Sequence, residues 1–457
     1  MIENPKTSRR PRAPAPSFGD KFSVWLTLPH VLGLSLVSAY ILRNSVLIYY
    51  IPRLESMMAM ASYAILGIAI CYMLATGVEF SFAGILMLLA FLPGSWFSAE
   101  PDISLPKYAG LALLVLVAGP VLLGHKARQL RNGAWTTTLM LMIAIGVGSC
   151  LWWGLRLSAM GVGLFCGVMA YANTLGPMSG LGVVIAASKA ITSKKRAKLM
   201  WSAAAAACMV PCIASTSRVS LIALAVGLVV VLLMEWRRFG LGLLVILPLG
   251  AAVAFGGYYT ILKTERFSET IAMLEEKGLE NSREMLWHAR LKEFKEHPNW
   301  GVGIGLAEGA ELEGRSADET GKITVEPGSS YLGLLSMTGL SGAAGMGILL
   351  LWVTGQWLGR FRFLPPGQAS QMMGIGAFMA VNGLAEGWII AVGSPLCLIF
   401  WLWLGHLVDA VHKPEVRGRK SKARRVKNEV GGLKTERVAD QAAAGQHDQQ
   451  PVAISDL

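Results

Sequence analysis

The sequence predicts an all-α polytopic integral membrane protein with about 12 transmembrane helices and one long outer loop that contains an amphipathic helix. Three observations predict it. Of 457 residues, 53% are hydrophobic and only 15% charged, with a mean hydropathy of +0.50. Apolar runs of roughly 20 residues, the length that crosses a bilayer, recur along the chain. Lysine and arginine divide unevenly between alternate connections. A soluble domain carries about a quarter charged residues, and no soluble core would hide this much apolar surface, so lipid must solvate much of it.

Residues 1–22 are polar, hold Pro5, Pro11, Pro14 and Pro16, and lack the apolar core of a secretory signal. They read as a cytoplasmic tail, and the first apolar run as a retained anchor. Nine spans are expected within 23–262, near 23–42, 57–76, 80–97, 106–124, 135–153, 173–192, 199–215, 218–234 and 241–262. A hydrophilic loop over 263–330 follows, then three spans within 331–411, near 331–354, 369–390 and 392–411. The tail 412–457 is basic, then Gln/Ala-rich, and is expected to be disordered.

Orientation follows from charge. With the N-terminus inside, the short inner connections hold Lys126, Arg128, Arg131, Lys194, Lys195, Arg196, Lys198, Arg237, Arg238, Arg360 and Arg362. The outer ones hold only Arg43, Arg53, Lys107, Arg156 and Arg218, and the basic tails also fall inside. Topology thus explains the net charge of +12 without nucleic acid. It places both termini in the cytoplasm and residues 263–330 on the outer side. Cys71, Cys150, Cys166, Cys208, Cys212 and Cys397 all lie in apolar stretches and read as small hydrophobes. His30, His125, His406 and His412 form no ligand set, no Asp-x-Asp motif stands on an outer loop, and no dinucleotide fingerprint is present. No metal or other cofactor is expected.

The loop carries a marked helix. Asn281 is suited to cap it, with Glu284 three residues on. Leu286, Trp287, Arg290, Leu291 and Phe294 fall on one side, opposite Glu284, His288, Lys292 and Lys295. Pro298 and the glycines 301, 303 and 305 end it in a turn. Arg283 begins the helix, where the macrodipole disfavours a cation, and shares the stripe of Trp287 and Phe294. It reads either as a snorkelling side chain or as a group that holds an anion.

Asn281-Ser-Arg-Glu-Met-Leu-Trp-His-Ala-Arg290 and Glu296-His-Pro-Asn-Trp-Gly-Val-Gly-Ile-Gly305 together resemble the large-loop motif of the O-antigen ligase and O-antigen polymerase superfamily. That motif runs from an Arg to a Trp four residues on, and its helix ends in a His-Pro-x-x-Gly-x-Gly turn. Ser217-Arg218 opening a span, the stretch from Gly94 to Asp102, that from Ser330 to Gly342, and Glu386-Gly-Trp388 near Gly393-Ser394 fit as well. The resemblance implies a GT-C-like glycosyltransferase, independent of metal, acting on undecaprenyl-pyrophosphate-linked oligosaccharide at the outer leaflet. It further implies that Arg218 and Arg283 bind the pyrophosphate, with Arg266 a third candidate. A separate chain-length-regulating co-polymerase is the expected protein partner. Arginine suits the role because its planar fork pairs phosphate oxygens bidentately and stays ionised.

The sequence departs from the family at one place. Ligases carry His-Asn before the Tyr-Leu of the return helix; here Gly328 and Ser329 precede Ser330 and Tyr331. The base that activates the acceptor hydroxyl must then lie elsewhere, and Glu386 and Glu326 are the carboxylate candidates. Trp287, Arg290, His297, Ser329 and Tyr331 complete the expected substrate-binding set, His297 with an alternative role in ordering its turn. Polymerisation of carrier-linked repeat units into an exopolysaccharide or O-antigen-like glycan is the first functional reading. A ligase or protein O-oligosaccharyltransferase on the same donor is the second, and a non-catalytic lipid-linked oligosaccharide transporter the third.

Overall fold

The computed structural model describes residues 27–155, 165–239, 282–306, 328–361, 364 and 367–411, with backbone alone for 236–239 and 282–285. The helices are α1 (Leu28–Arg43), α2 (Leu54–Ala75), α3 (Phe82–Trp96), α4 (Pro101–Ala118), α5 (His125–Gly154) and α6 (Ala172–Thr192). They continue with α7 (Lys195–Ala214), α8 (Arg218–Phe239), α9 (Ser282–Glu296), α10 (Ser330–Arg360), α11 (Gln368–Asn382) and α12 (Pro395–Val411). The strands β1 (Glu79–Phe80) and β2 (Leu122–Leu123) pair antiparallel. The protein is a multi-pass membrane protein: α2, α4, α5, α6, α7, α8 and α10 are long and apolar enough to cross a bilayer, and α1, α3 and α12 are shorter apolar helices. One compact unit extends to Val408 and a second begins at Asp409, whose described part is the last turn of α12.

Helix α6 is the centre of the first unit. It packs on α5, α7, α8 and α11, and small residues let those neighbours approach, as membrane interfaces require. The Cα of Gly180 lies against Phe378, and that of Gly182 against Met142 and Cys208. Helix α1 packs on α2 and α5, α3 on α4 and α10, and α9 on α10.

The expected spans fall on described helices, apart from 241–262, which lies outside the described residues. Of the boundaries that differ, three bear on the argument. Helix α4 ends at Ala118 rather than near 124, because Gly119 precedes Pro120 and is driven extended (φ −80°, ψ 178°). Helix α5 starts at His125, so Lys126, Arg128 and Arg131 are helical rather than in a loop. Arg131 is wholly buried, and its Nη1 donates to the carbonyls of Gly119 at 3.2 Å and Leu122 at 2.7 Å. Helix α11 ends at Asn382, eight residues before the expected boundary at 390, and an irregular segment runs to Ser394.

The fourth difference lies inside α10. Gly339 adopts φ 63° and ψ −164°, which no helix allows, and breaks the ladder. Broken backbone at membrane depth is tolerated only where other protein groups satisfy it. Residues 297–306 do so. Val302 and Gly303 donate to the Ser336 and Met337 carbonyls at 2.9 and 3.1 Å; Leu340 and Ser341 donate to the Pro298 and Asn299 carbonyls at 2.8 and 3.2 Å. A side chain at Gly339 would meet the Asn299 carbonyl at 2.5 Å. The glycine-rich turn after α9 is therefore a strap set into the break of α10.

Candidate functional site

The site is built where α8, α10 and α11 meet. The chain enters α8 through Thr216, a non-glycine residue at φ 56°. Ser217 then caps the helix: its Oγ accepts from the Ser220 N–H at 3.4 Å and lies 2.7 Å from the Ser220 hydroxyl. Arg218 is thereby the first helical residue. Its side chain is exposed, and among the described residues nothing pairs with its guanidinium. A cation at a helix N-terminus adds to the partial positive charge of the unpaired amides. The arrangement is unfavourable alone and favourable around an anion.

Ser220 ties this end of α8 to α11 and α10. Asn382 Nδ2 donates to Ser220 Oγ at 3.5 Å, and Trp388 Nε1 donates to Asn382 Oδ1 at 3.0 Å. Trp388 N–H reaches the hydroxyl of Ser330 at 3.0 Å, and that hydroxyl donates to the Glu386 carbonyl at 2.6 Å. Ser329 caps α10 through Leu332 N–H at 3.5 Å and is buried. Tyr331 OH donates to the Ala380 carbonyl at 2.8 Å. Glu386 is half-buried and stands in the irregular segment after α11, not within a helix as expected; Asn382 ends α11 before it. The far end of that segment is held by α1. Asn44 Nδ2 donates to the Gly393 carbonyl at 3.1 Å, and the Arg43 guanidinium, 3.6 Å from Glu55, lies over Gly393.

Helix α9 borders the start of α10. Trp287 Nε1 donates to the Gly328 carbonyl at 3.1 Å, so the indole anchors the return of the chain into α10. Within the expected stripe Arg290 is buried while Trp287 and Leu291 are exposed, and Glu293, outside the stripe, is buried as well. Positions 286, 290 and 293 share one helix face, a step round from the stripe read in the sequence. Arg290 Nη2 and Glu293 Oε1 pair at 2.8 Å, and Arg290 Nη1 donates to Leu306 O at 3.5 Å. Burial lowers the Arg290 pKa, and the Glu293 carboxylate opposes that shift. His297 is exposed, and its carbonyl accepts from Gly301 N–H at 3.0 Å, so its backbone orders the turn.

The helical backbone includes Arg283 as the second residue of α9; its side chain lies outside the described residues, as do all of Arg266, Glu326 and Asn281. Of the described candidates, Ser329, Tyr331 and Glu386 lie on the bonded segments that join the ends of α10 and α11, and Arg218 opens α8, whose Ser220 bonds to Asn382; Trp287 is bonded to the chain entering α10, and Arg290 and His297 lie farther along α9. Among the described residues no cluster of His, Cys, Asp and Glu has the makings of a metal site.

Residues 203–347 match the family model described as O-antigen ligase. Over that segment the chain is similar to the O-antigen ligase and polymerase superfamily. No curated protein matches the chain. The matched segment runs from within α7 to within α10 and includes Arg218, Arg266, Arg283, Arg290, His297, Glu326, Ser329 and Tyr331. Glu386 falls outside it. That similarity supports lipid-linked glycan processing as the coarse function.

Sequence reasoning missed Glu293, Ser220 and Asn382, and quoted Trp388 only as part of a motif. Asn382 carried a usable signal, a polar residue within an apolar run. Glu293 did not, because on a helix already read as amphipathic a carboxylate is assigned to solvent.

Proposed function

We propose that the protein polymerises undecaprenyl-pyrophosphate-linked oligosaccharide repeat units into an exopolysaccharide or O-antigen-like surface glycan, as a metal-independent GT-C-type transferase at the periplasmic face of the inner membrane. The observation that carries this reading is Arg218: an exposed guanidinium, unpartnered among the described residues, at the first position of α8, a helix whose Ser220 bonds to Asn382 just before the segment that bears Glu386. In the reaction, the anomeric carbon of the donor glycan leaves its carrier diphosphate and bonds to a hydroxyl of the next carrier-linked unit. Glu386, or Glu326, takes the hydroxyl proton. The departing diphosphate gains negative charge, and Arg218 with Arg283 stabilises it, which lowers the barrier because the cations are fixed in advance. A divalent cation would otherwise serve that purpose.

The description of the family model favours a second reading, an O-antigen ligase or protein O-oligosaccharyltransferase that uses the same donor. Against it stands the place of the family histidine. Gly328 has φ 69°, and any Cβ there would meet Leu286 at 2.8 Å, while Ser329 is used as a buried cap. A base at that position has neither room nor backbone, which favours a carboxylate and a different acceptor.

Deleting the gene and sizing the carrier-linked glycan tests the choice. A polymerase mutant accumulates single repeat units on the carrier, displayed outside. Finished polymer stranded on the carrier would establish the ligase instead, and units trapped on the inner face would establish a transporter.

A further inference from the structure

Lys107 is a cation that the proposed chemistry does not use. It stands in α4, a helix apolar enough to span the membrane, where an ammonium is costly unless it has a task. Its Nζ donates to the Gly305 carbonyl at 2.8 Å. The Cα of Gly305 lies on the same side chain, so closely that a Cβ there would overlap Lys107 Cδ. The next carbonyl, of Leu306, accepts from Arg290 of α9 at 3.5 Å. Two consecutive carbonyls therefore join α4 to α9 through two cations. Further back, the strap is bonded to α10 through Val302 and Gly303, and Trp300 packs on Phe97 with ring centroids 6.5 Å apart.

We propose that Lys107 is a positioning residue: by holding the Gly305 carbonyl it fixes the strap of residues 297–306 on α4 and, through Leu306 and Arg290, the pose of α9, the helix that carries Arg283. The clasp stands on the contacts alone; its consequence for turnover rests on the polymerase reading. A positively charged donor is required, because an ammonium bond to a carbonyl is stronger than a neutral one and holds one end of a segment whose other hydrogen bonds to helices, among the described residues, run to α10 and α9.

The test uses the full chain in lipid nanodiscs as wild type, Lys107→Met, Lys107→Arg and Gly305→Ala. Amide hydrogen exchange is followed in peptides covering 286–306, and initial rates are measured on a carrier-linked repeat unit. Lys107→Met and Gly305→Ala are expected to exchange roughly tenfold faster across 297–306, the loss of one charge-assisted bond, with α6 unchanged. Lys107→Arg is expected to stay near wild type. In the two loosened variants kcat falls roughly tenfold while the donor KM changes little, as for a group that acts only as charge develops. Unchanged exchange in both variants would overturn the clasp. Lys107→Arg failing as badly as Lys107→Met would overturn it too, and faster exchange with unchanged kcat would overturn the positioning role in turnover. Should Lys107→Met not fold, Gly305→Ala, which keeps the lysine, decides the same question. If no form, wild type included, elongates the glycan, the polymerase reading fails, and exchange still decides the clasp.

Discussion

Arg218 occupies the first position of α8, where unpaired amides already carry partial positive charge, and nothing described neutralises it. Such a group is unfavourable in the resting protein and stabilising once a diphosphate arrives. Arg218→Ala is expected to lower the elongation rate by about 10²–10³-fold with the protein still inserted, the scale of losing one fixed donor to a developing anion. Arg218→Lys should recover only part, since an ammonium cannot pair two phosphate oxygens in one plane. Initial rates on a carrier-linked unit check both. The buried pair on α9 behaves differently. Glu293→Ala leaves the Arg290 guanidinium buried without its close carboxylate and should cost about 3 kcal/mol in unfolding. The double variant Arg290→Met, Glu293→Leu should regain most of that. Thermal unfolding in nanodiscs distinguishes them, and equal loss in both would contradict the pairing. Arg218 was legible in the sequence because a charge at the mouth of an apolar run is conspicuous. The burial of Arg290 was not, because a pair three residues apart on an amphipathic helix looks the same whether it faces water or protein.

At the scale of elements, hydropathy found nearly every described helix and misjudged where the backbone leaves it. Helix α10 reads as one long apolar run from 331, yet it is broken at Gly339 and repaired by the strap. Hydropathy cannot register the break, because the groups that satisfy it come from residues 298–303. The same limit moved the end of α11: Gly383 to Ser394 is apolar enough to continue a span but folds irregularly on Ser330 and Asn44. Glu386 was expected inside a helix for that reason. Gly339→Ala forces a side chain into the Asn299 carbonyl at a positive φ and should lower stability by about 1–3 kcal/mol. It should also free the strap, seen as faster proteolysis between α9 and α10. An unchanged unfolding midpoint would show that the break does not depend on glycine. Glu386→Gln keeps the shape of the irregular segment and removes the base. It is expected to slow elongation by about 10²-fold or more, with donor binding retained, and rate retention would move the base to Glu326.

For the whole molecule, the class of protein was legible from composition alone, and the similarity to O-antigen ligases from short motifs in order, because both depend on residue types rather than contacts. The orientation remains the proposal made from Lys and Arg. Single cysteines placed in 1–22 and 412–457 are expected to resist a membrane-impermeant thiol reagent in intact cells, and one placed within 307–327 to react. The reverse pattern would invert the topology and put the arginine-bearing ends on the wrong side for a surface glycan. What joins these scales is the proposal that cationic side chains at the ends of α8 and α9 hold a carrier diphosphate while a growing chain leaves it. The most direct measurement supplies the nanodisc-embedded protein with one defined carrier-linked repeat unit and resolves the carrier-linked products by size. A ladder rising one unit at a time, absent in Arg218→Ala and in Arg283→Ala, is the expected result. Single units left unextended by the wild-type protein, or a normal ladder from both arginine variants, would contradict it.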